Sequence, residues 1–257
     1  MRILISNDDG IHAVGLIELV KALHGLGEIW VVAPDREQSA VGHSITLSEP
    51  IRLYPAKVEF ADYAFAISGT PADCVKLAIT ELMPERPDIV ISGINRGENT
   101  GISVIYSGTV SAATEGTING IPSLAVSLDS FTSTDYLYAG KVARRFAEVA
   151  FTNGLPDGTL LNINVPALPP EQIKGVKVAR QGRARFQETF IERDDPRGRR
   201  YYWMDGDKVA HAETDTDGAA LKQGYISVTP IRLDLTHHAF IDEMKLWPFQ
   251  LEELAAG

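Results

Sequence analysis

Cysteine is nearly absent, since Cys74 is the single cysteine among 257 residues. A small disulfide-stapled scaffold needs many cysteines, so that class of protein is excluded. Hydrophobic residues make up 44% of the chain and charged residues 23%, a balance that also excludes intrinsic disorder. The sequence therefore predicts a globular protein with a full core, and its cysteine usage favours the cytoplasm.

Long hydrophobic runs are also missing. No apolar stretch approaches the roughly 20 residues that span a bilayer. The N-terminal run MRILISNDDG has one basic residue and stops at acidic residues, which is typical of neither a signal peptide nor a transit peptide. We therefore expect no membrane partner and a cytoplasmic location.

Basic residues are outnumbered, with 24 Lys and Arg against 34 Asp and Glu and a formal net charge of -10. Contact with nucleic acid or with an anionic membrane over a broad surface needs an extended basic face, so both partners are disfavoured. A small anionic substrate stays compatible with this charge, because a metal ion or helix N-termini supply positive potential locally.

Several catalytic motifs are absent as well. The chain contains no G-x-G-x-x-G that opens a helix, no G-x-x-x-x-G-K-[ST], no G-x-S-x-G and no H-E-x-x-H. These absences remove the sequence support for dinucleotide-dependent enzymes, P-loop ATPases, α/β-hydrolases and zincins. Asp205 and Asp207 superficially resemble the D-x-D motif of phosphatases with an aspartyl nucleophile. Asp205-Gly206 is more typical of a hairpin turn, which is the interpretation we prefer.

Apolar strands and amphipathic helices alternate over the first 170 residues. Buried strands are predicted at 2–6, 28–33, 87–93, 122–128 and 160–165. Between them, helices are predicted at 16–23, at about a dozen residues from Thr70, and at about 108–119 and 136–150. Strand-helix-strand units make neighbouring strands parallel. We therefore predict an α/β fold with a Rossmann-like, doubly wound and mostly parallel sheet.

Two regions depart from this alternation. Residues 43–55 and 63–68 alternate like solvent-facing antiparallel strands, which predicts a side hairpin. After residue 170 the chain becomes charged and aromatic, which predicts a C-terminal β-rich appendage. We therefore divide the chain into a core at 1–170 and a segment at 171–257 that carries a hairpin arm and a C-terminal segment.

Within residues 171–257 we expect the arm at about 180–215, a last core strand at about 224–231 and a short helix at 240–254. The arm is long, charged and aromatic, so it has little core of its own to pack on. Such an arm commonly packs on another subunit. We therefore expect a homo-oligomer.

Polar residues follow three of the predicted strands. Asp8 and Asp9 come after the first strand, Ser39 lies in the segment after the second, and Asn95 comes after the third. Ligands of open α/β sheets bind outside the carboxyl ends of the strands. Two adjacent carboxylates repel each other unless a cation neutralises them, and Mg²⁺ or Mn²⁺ prefers the oxygen ligands that these four residues offer. The alternative is that Asp8 and Asp9 cap the next helix and favour its dipole.

Ser107, Gly108 and Thr109 stand where a helix is predicted to begin. Backbone N–H groups and hydroxyls at a helix start can bind a phosphate. The alternative is ordinary N-capping by Ser or Thr. The sequence pattern by itself leaves both interpretations open.

Seven ordered segments carry a resemblance to a known family. They are MRILISNDDGI at 1–11, VVAPDREQSAVGHSITL at 31–47, SGTPADCVKLA at 68–78, DIVISGINRGENTG at 88–101, YSGTVSAATEG at 106–116, NINVP at 162–166 and GYISVTPIRLDLT at 224–236. Together they resemble the SurE (survival protein) family of metal-dependent 5'/3'-nucleotidases. One departure is Val14, where many members of the family carry Pro before the residue that is Gly15 here.

The resemblance implies a cytoplasmic phosphomonoesterase that acts on nucleoside 5'- and 3'-monophosphates and on short polyphosphate. It implies one divalent cation per subunit, Mg²⁺ or Mn²⁺, and a homodimer or homotetramer that exchanges C-terminal elements. The metal ligands fall on Asp8, Asp9, Ser39 and Asn95, and the phosphate-contacting turn falls on Ser107, Gly108 and Thr109.

The residues and the resemblance together predict a 5'-nucleotidase, a metal-dependent nucleoside monophosphate phosphohydrolase. Asp8, Asn95 and the turn at 107–109 form the expected catalytic group. The preferred nucleophile is a water whose pKa the metal lowers, and the alternative is direct attack by Asp8 to give an aspartyl phosphate. The hypothesis from a different class is a nucleotide-binding or sensing module without turnover.

Overall fold

The computed structural model of the protein describes residues 1–209, 213–247 and 249. Its strands are β1 (Arg2–Ser6), β2 (Glu28–Pro34), β3 (Leu53–Pro55), β4 (Tyr63–Ile67), β5 (Ile89–Arg96), β6 (Ser123–Asp129), β7 (Thr159–Pro166), β8 (Val176–Val178), β9 (Arg185–Asp194), β10 (Arg200–Val209) and β11 (Ile226–Arg232). Its helices are α1 (Val14–Leu23), α2 (Pro71–Leu77), α3 (Ser103–Tyr106), α4 (Gly108–Ile118), α5 (Leu137–Asn153), α6 (Asp217–Lys222) and α7 (His238–Met244). A π-helix over Ala78–Leu82 continues α2, and a 3-10 turn covers Pro170–Gln172.

Within the described residues, nine strands form one sheet in the order β3-β4-β2-β1-β5-β6-β7-β11-β8. Strand β1 pairs in parallel with both β2 and β5, so the chain runs outward from β1 first in one direction and then in the other. This reversal is the topological switch of a doubly wound sheet, and ligands bind at the carboxyl ends of the strands beside it. Strand β11 adds an antiparallel neighbour to β7.

Alternate residues of β1 face two different hydrophobic layers. Ile3 and Ile5 pack in the layer that contains α1 and α5, whereas Leu4 packs in the layer that contains α2. Burial on both faces explains why β1 is a continuous apolar run instead of an alternating one. The predicted α/β fold with a doubly wound, mostly parallel sheet is confirmed.

The predicted side hairpin at 43–55 and 63–68 is only partly correct. Strands β3 and β4 do pair antiparallel, but β4 also pairs in parallel with β2, so both strands extend the main sheet. Residues 43–52 form no strand. Their polar groups bond to the start of α2 instead: Thr46 donates to Asp73 from its backbone N–H and its hydroxyl, and Thr70 donates to the carbonyl of Ser44.

The arm is a separate two-stranded ribbon of β9 and β10. It runs from the pair Arg185 and Val209 at its base to the pair Asp194 and Arg200 near its tip. Every residue of β9 is exposed. The arm therefore stands away from the core, and residues 210–212 of the predicted range lie outside the described part of the chain.

The turn of the arm lies at Asp195–Arg199, so the turn expected at Asp205-Gly206 was wrong. Asp205 and Gly206 lie inside β10, paired with Thr189 and Glu188. At the tip the carboxylate of Asp195 accepts hydrogen bonds from the backbone N–H groups of Arg197 and Arg199, at 2.8 and 2.9 Å. A carboxylate that bonds its own downstream backbone favours a turn, and the register of β9 with β10 places the turn there and not at the later Asp-Gly pair.

The C-terminal helix α7 begins two residues before the predicted start at 240 and ends at Met244. The last residues of that predicted range, 250–254, lie outside the described part of the chain, as does residue 248. Among the described helices, none combines the length and the apolar character needed to cross a bilayer.

Candidate active site

The loop after β1 places two carboxylates at the switch point of the sheet. Asn7 holds this loop closed, since its Nδ2 donates to the carbonyl of Gly10 at 2.9 Å and its Oδ1 accepts from the N–H of Gly10 at 3.2 Å. Gly10 has a φ of +97°, a conformation that favours glycine. Asp8 and Asp9 lie inside this closed loop, beyond the carboxyl end of β1.

Neither acidic residue caps the following helix. Helix α1 begins at Val14, its N-cap is Ala13 without a side-chain hydrogen bond, and its first turn contains no acidic residue. The capping alternative for Asp8 and Asp9 is therefore wrong. The two carboxylates are available for another role.

Asp8 is buried against the first turn of α4. The hydroxyl of Thr109 donates to Oδ1 of Asp8 at 2.5 Å, and Gly108 packs against the same side chain. Burial raises the pKa of Asp8 to about 6, with a further increase from the charge of Asp9, while hydrogen bonds from Thr109 oppose the shift. Burial thus disfavours the charged form of the Asp8 carboxylate.

Asp9 is half-buried and contacts the end of β5. The backbone N–H of Arg96, at the end of β5, donates to Oδ2 of Asp9 at 3.3 Å. Burial raises the pKa of Asp9, and the Arg96 backbone and side chain only partly offset that effect. Both neighbouring carboxylates are therefore destabilised in their charged form, which is the electrostatic condition that a bound cation relieves.

The sequence neighbours of Ser39 and Asn95 contact the acidic loop. The N–H of Gln38 donates to the backbone carbonyl of Asp8 at 2.7 Å, which brings the exposed Ser39 to the same edge of the sheet. The Ser39 hydroxyl donates to Glu37 at 2.6 Å, so its oxygen can still coordinate a cation. Asn95 precedes Arg96 in β5 and donates from Nδ2 to the carbonyl of Gly97 at 2.8 Å, so the amide oxygen remains as its acceptor.

The residues of the turn at 107–109 have two roles: one caps α4, and the others contact Asp8. Ser107 is the N-cap of α4, and its Oγ accepts from the N–H of Val110 at 3.1 Å. Thr109 gives its hydroxyl to Asp8 instead of to the helix. N-capping is thus confirmed for Ser107, whereas Gly108 and Thr109 connect the start of an 11-residue helix to the acidic loop.

The donor set fits a hard divalent cation. Asp8 and Asp9 supply carboxylate oxygens, Ser39 a hydroxyl and Asn95 an amide oxygen, and oxygen donors are what Mg²⁺ and Mn²⁺ prefer. In the described residues no group of three His, Cys, Asp or Glu side chains stands ready for a metal. A mixed site with two carboxylates, a hydroxyl and an amide oxygen does not require a third acidic or histidine ligand.

Comparison with known proteins identifies the family of this chain. The family model described as Survival protein SurE matches residues 3–188. The chain belongs to the SurE family. A 5'-nucleotidase SurE from Syntrophobacter fumaroxidans is 49% identical over 248 residues, which cover 96% of this chain and 99% of that protein. A 5'-nucleotidase SurE from Pelotomaculum thermopropionicum is 51% identical over 251 residues, which cover 95% of this chain and 94% of that protein.

A solved structure of a SurE family member has the same fold. The crystal structure of the SurE protein from Aquifex aeolicus superposes with a TM-score of 0.82 at 42% identity, over 95% of this chain and 98% of that one. The family resemblance predicted from seven segments is confirmed. The names of the relatives agree with the predicted nucleotidase activity.

One group of site-supporting residues in this SurE family chain was not predicted from sequence. Glu115 of α4 is almost fully buried, and it accepts from Lys76 at 2.6 Å and pairs with the ring of His43 at 3.0 Å. The N–H of Gly42 also donates to the carbonyl of Tyr106. The contacts of His43 and Gly42 hold the loop that carries Ser39 against α4 and α3. A buried Glu in the middle of a helix has no local sequence signal that names its partners.

A second unpredicted group holds the segment after β5. The N–H of Asn99 donates to Oδ1 of Asn164 at 2.7 Å, its Nδ2 donates to Ser127 at 2.9 Å, and its carbonyl accepts from both Asn162 and Asn164. Asn162 and Asn164 belong to the NINVP segment, whose alternate apolar residues fill the core. Amides at alternate positions of a buried strand are the signal that could have revealed this network.

Proposed function

We propose that this chain is a divalent-metal-dependent phosphomonoesterase that hydrolyses nucleoside 5'- and 3'-monophosphates to nucleoside and phosphate. The observation that carries the proposal is the contact of Asp8 with Gly108 and Thr109. It joins a metal-ligating carboxylate to the start of a helix, where backbone N–H groups favour phosphate. The names of the relatives, 5'-nucleotidase SurE, support the same activity.

In this proposal Asp8, Asp9, Ser39 and Asn95 hold one Mg²⁺ or Mn²⁺. When bound, the cation supplies charge stabilisation for the phosphoryl group and lowers the pKa of a water. Ser107, Gly108 and Thr109, with Asn95, bind the remaining phosphate oxygens. Thr109 fixes the orientation of the Asp8 carboxylate through its hydrogen bond. Water is the preferred nucleophile, and Asp8 is the alternative.

The substrate range and the assembly extend the proposal. We include short polyphosphate among the substrates, because a site that binds a terminal phosphoryl group and a metal does not itself require a nucleoside. We also propose a homodimer or homotetramer held together by the exposed arm, and the cytoplasm as the compartment, as the cysteine usage favours.

Release of inorganic phosphate from AMP tests the proposal. We expect release with Mg²⁺ or Mn²⁺ and none after a chelator. We also expect Asp8→Asn to lower turnover at least about 100-fold while the fold survives, because a ligand charge is lost next to the transferred phosphoryl group. Asp157→Asn, an exposed carboxylate at the far end of the sheet, is the matched control and should keep full activity.

The outcomes separate the two classes of function. Binding of AMP without phosphate release at any metal concentration would favour the nucleotide-binding or sensing module. Ser39→Ala should be milder than Asp8→Asn, and it should raise the metal concentration needed for half-maximal activity, because a neutral hydroxyl is one weak ligand among several. Equal activity of Asp8→Asn and wild type would contradict the assignment of Asp8 to the site.

A further inference from the structure

A pocket of about 320 Å³ opens beside the metal-ligating pair. Asp9 and Arg96 line it, whereas Asp8 and the turn at 107–109 do not. The two neighbouring carboxylates thus face different spaces: Asp8 faces the start of α4, and Asp9 faces the pocket. The pocket adjoins Asp9 and so lies next to the site proposed for the phosphoryl group. Its volume is in the range of small-molecule sites, which begin at about 300 Å³.

An exposed aromatic ring stands in the wall of the pocket. Phe131, in the loop after β6, is 70% exposed and belongs to the lining. Its ring lies on the backbone of Gly97, where an added Cβ would be 2.5 Å from Cε1 of Phe131. Gly97 has a φ of +98°, so both its conformation and the space above it favour glycine. The ring is therefore seated on one side and open to a ligand on the other.

The loop that carries Phe131 is ordered by its own hydrogen bonds. Oγ of Ser130 accepts from the N–H groups of Thr132 and Ser133, at 3.2 and 3.0 Å. Tyr136, buried at the start of α5, forms part of the lining behind this loop. The polar residues Thr132 and Ser133 line the same wall. The pocket thus combines the exposed ring of Phe131 and the buried Tyr136 with hydroxyl groups, and the charged residues Asp9, Glu37 and Arg96 also line it. An aromatic face beside hydroxyl groups is chemistry that suits a base joined to a sugar.

Resting on the proposed function, we propose that this pocket holds the nucleoside of the substrate and that its base stacks on Phe131. Stacking on one aromatic face is tolerant, because every base has a π-face, and it needs no paired hydrogen bonds. Catalytic efficiency should therefore vary by no more than roughly 100-fold among AMP, GMP, CMP and UMP. A preference above roughly 10,000-fold for one base would contradict stacking as the main contact.

The ratio of kcat/KM for AMP to kcat/KM for ribose 5-phosphate tests the proposal, because the two substrates share the phosphate and the sugar and differ in the base. Phe131→Ala should lower this ratio about 5- to 100-fold. Phe131→Trp should keep it, because an aromatic face is retained. The control is Phe151→Ala, since Phe151 is an exposed phenylalanine in the last turn of α5, on the helix that Tyr136 precedes.

Failure of this inference is distinguishable from failure of the proposed function. If the wild type releases no phosphate from either substrate, the proposed function fails. If the wild type hydrolyses both and Phe131→Ala keeps the wild-type ratio, the base does not stack there and only this inference fails. A loss that is equal for both substrates would also overturn it, because Phe131 would then act through the loop and not on the base. If ribose 5-phosphate is not turned over, an unchanged KM for AMP in Phe131→Ala overturns it, and a raised KM that Phe131→Trp restores supports it.

Discussion

Gly108 lies directly against Asp8: a Cβ added to Gly108 would stand 2.6 Å from Cβ of Asp8 and 2.9 Å from its Oδ2. Asp8 is short and its neighbours in the loop are bonded to each other, so neither residue moves aside without a shift of the backbone. The missing side chain at Gly108 is what lets the first turn of α4 close onto the carboxylate.

Gly108→Ala should therefore displace Asp8 or the start of α4. We expect kcat/KM for AMP to fall at least about 10-fold, and the free energy of unfolding to fall by roughly 1 to 3 kcal/mol, the usual cost of overpacking. The control is Gly116→Ala in the same helix, whose added Cβ would meet Ser123 and Val90 at 2.5 and 2.7 Å on the sheet side.

Both substitutions crowd α4, but only the one at Gly108 crowds the site. Kinetics on the folded fraction and denaturant titration separate the two effects. Equal activity losses in Gly108→Ala and Gly116→Ala would mean that crowding of the helix, and not contact with Asp8, is responsible.

Glu115 should make stability depend on pH. Burial alone would raise its pKa, but hydrogen bonds and charges from His43 and Lys76 outweigh burial and lower the pKa from 4.5 to about 2. A carboxyl whose pKa is lower in the folded state stabilises the fold fully above its ordinary pKa, and this contribution is lost as the pH falls toward the folded value. Glu115→Gln should lower the free energy of unfolding at pH 7 by roughly 1 to 3 kcal/mol.

The difference between Glu115→Gln and wild type should shrink as the pH falls from about 4.5 toward 2, which denaturant titrations across that range measure. Glu148→Gln is the control, because Glu148 is a partly exposed partner of Arg144 at 3.3 Å and should contribute less than about 1 kcal/mol at any pH. A Glu115→Gln deficit that stays constant down to pH 2 would show that the charge of Glu115 is not the cause.

Asp217 should connect the arm to the site. Its carboxylate accepts from the backbone N–H groups of Gly101, Gly182 and Gly218, at 2.8, 3.0 and 2.8 Å. Gly101 belongs to the segment that leads from Asn95 to the turn at 107–109, and Gly182 lies at the base of the arm. Asp217→Asn replaces one acceptor oxygen with a donor, so we expect a stability loss of roughly 1 to 3 kcal/mol and a lower kcat/KM for AMP.

Asp215→Asn is the matched control for Asp217→Asn. Asp215 lies two residues away, is exposed, and pairs with Arg180 at 2.8 Å, so its charge should contribute little to stability. Thermal melts and AMP kinetics on both variants decide the matter. Equal behaviour of the two variants would contradict the role of Asp217 as a link.

The arm should hold subunits together. Its exposed side chains include Phe190, Tyr202, Trp203 and Met204, more apolar surface than an isolated ribbon keeps in water. Arg185 and Val209 pair at its base, so a short Gly-Ser linker can replace residues 185–209 without disturbing the core. Light scattering should then report a smaller species, whereas a monomeric intact protein at micromolar concentration would contradict the role of the arm.

Local patterns predicted the central elements well. Apolar runs and helical spacing predicted β1, β2 and α1 within two residues at each end, because periodicity within one element reflects which face it buries. These local patterns failed where two segments each favour a turn and only one of them forms it. Asp195 and Asp205 both offer turns in the arm, and the pairing of β9 with β10 selects the first.

The sequence by itself determined the fold class, the family and the types of residue at the site, because these follow from local periodicity and from ordered segments such as NDDG and SGT. Only the tertiary structure decided which of these residues contact each other. Asp8 and Thr109 are 101 positions apart, and their hydrogen bond depends on β1 and β5 being neighbours in the sheet and on α4 starting beside them. The burial of Glu115 and the seat of Phe131 on Gly97 arise in the same way, from contacts between distant segments that no local pattern encodes.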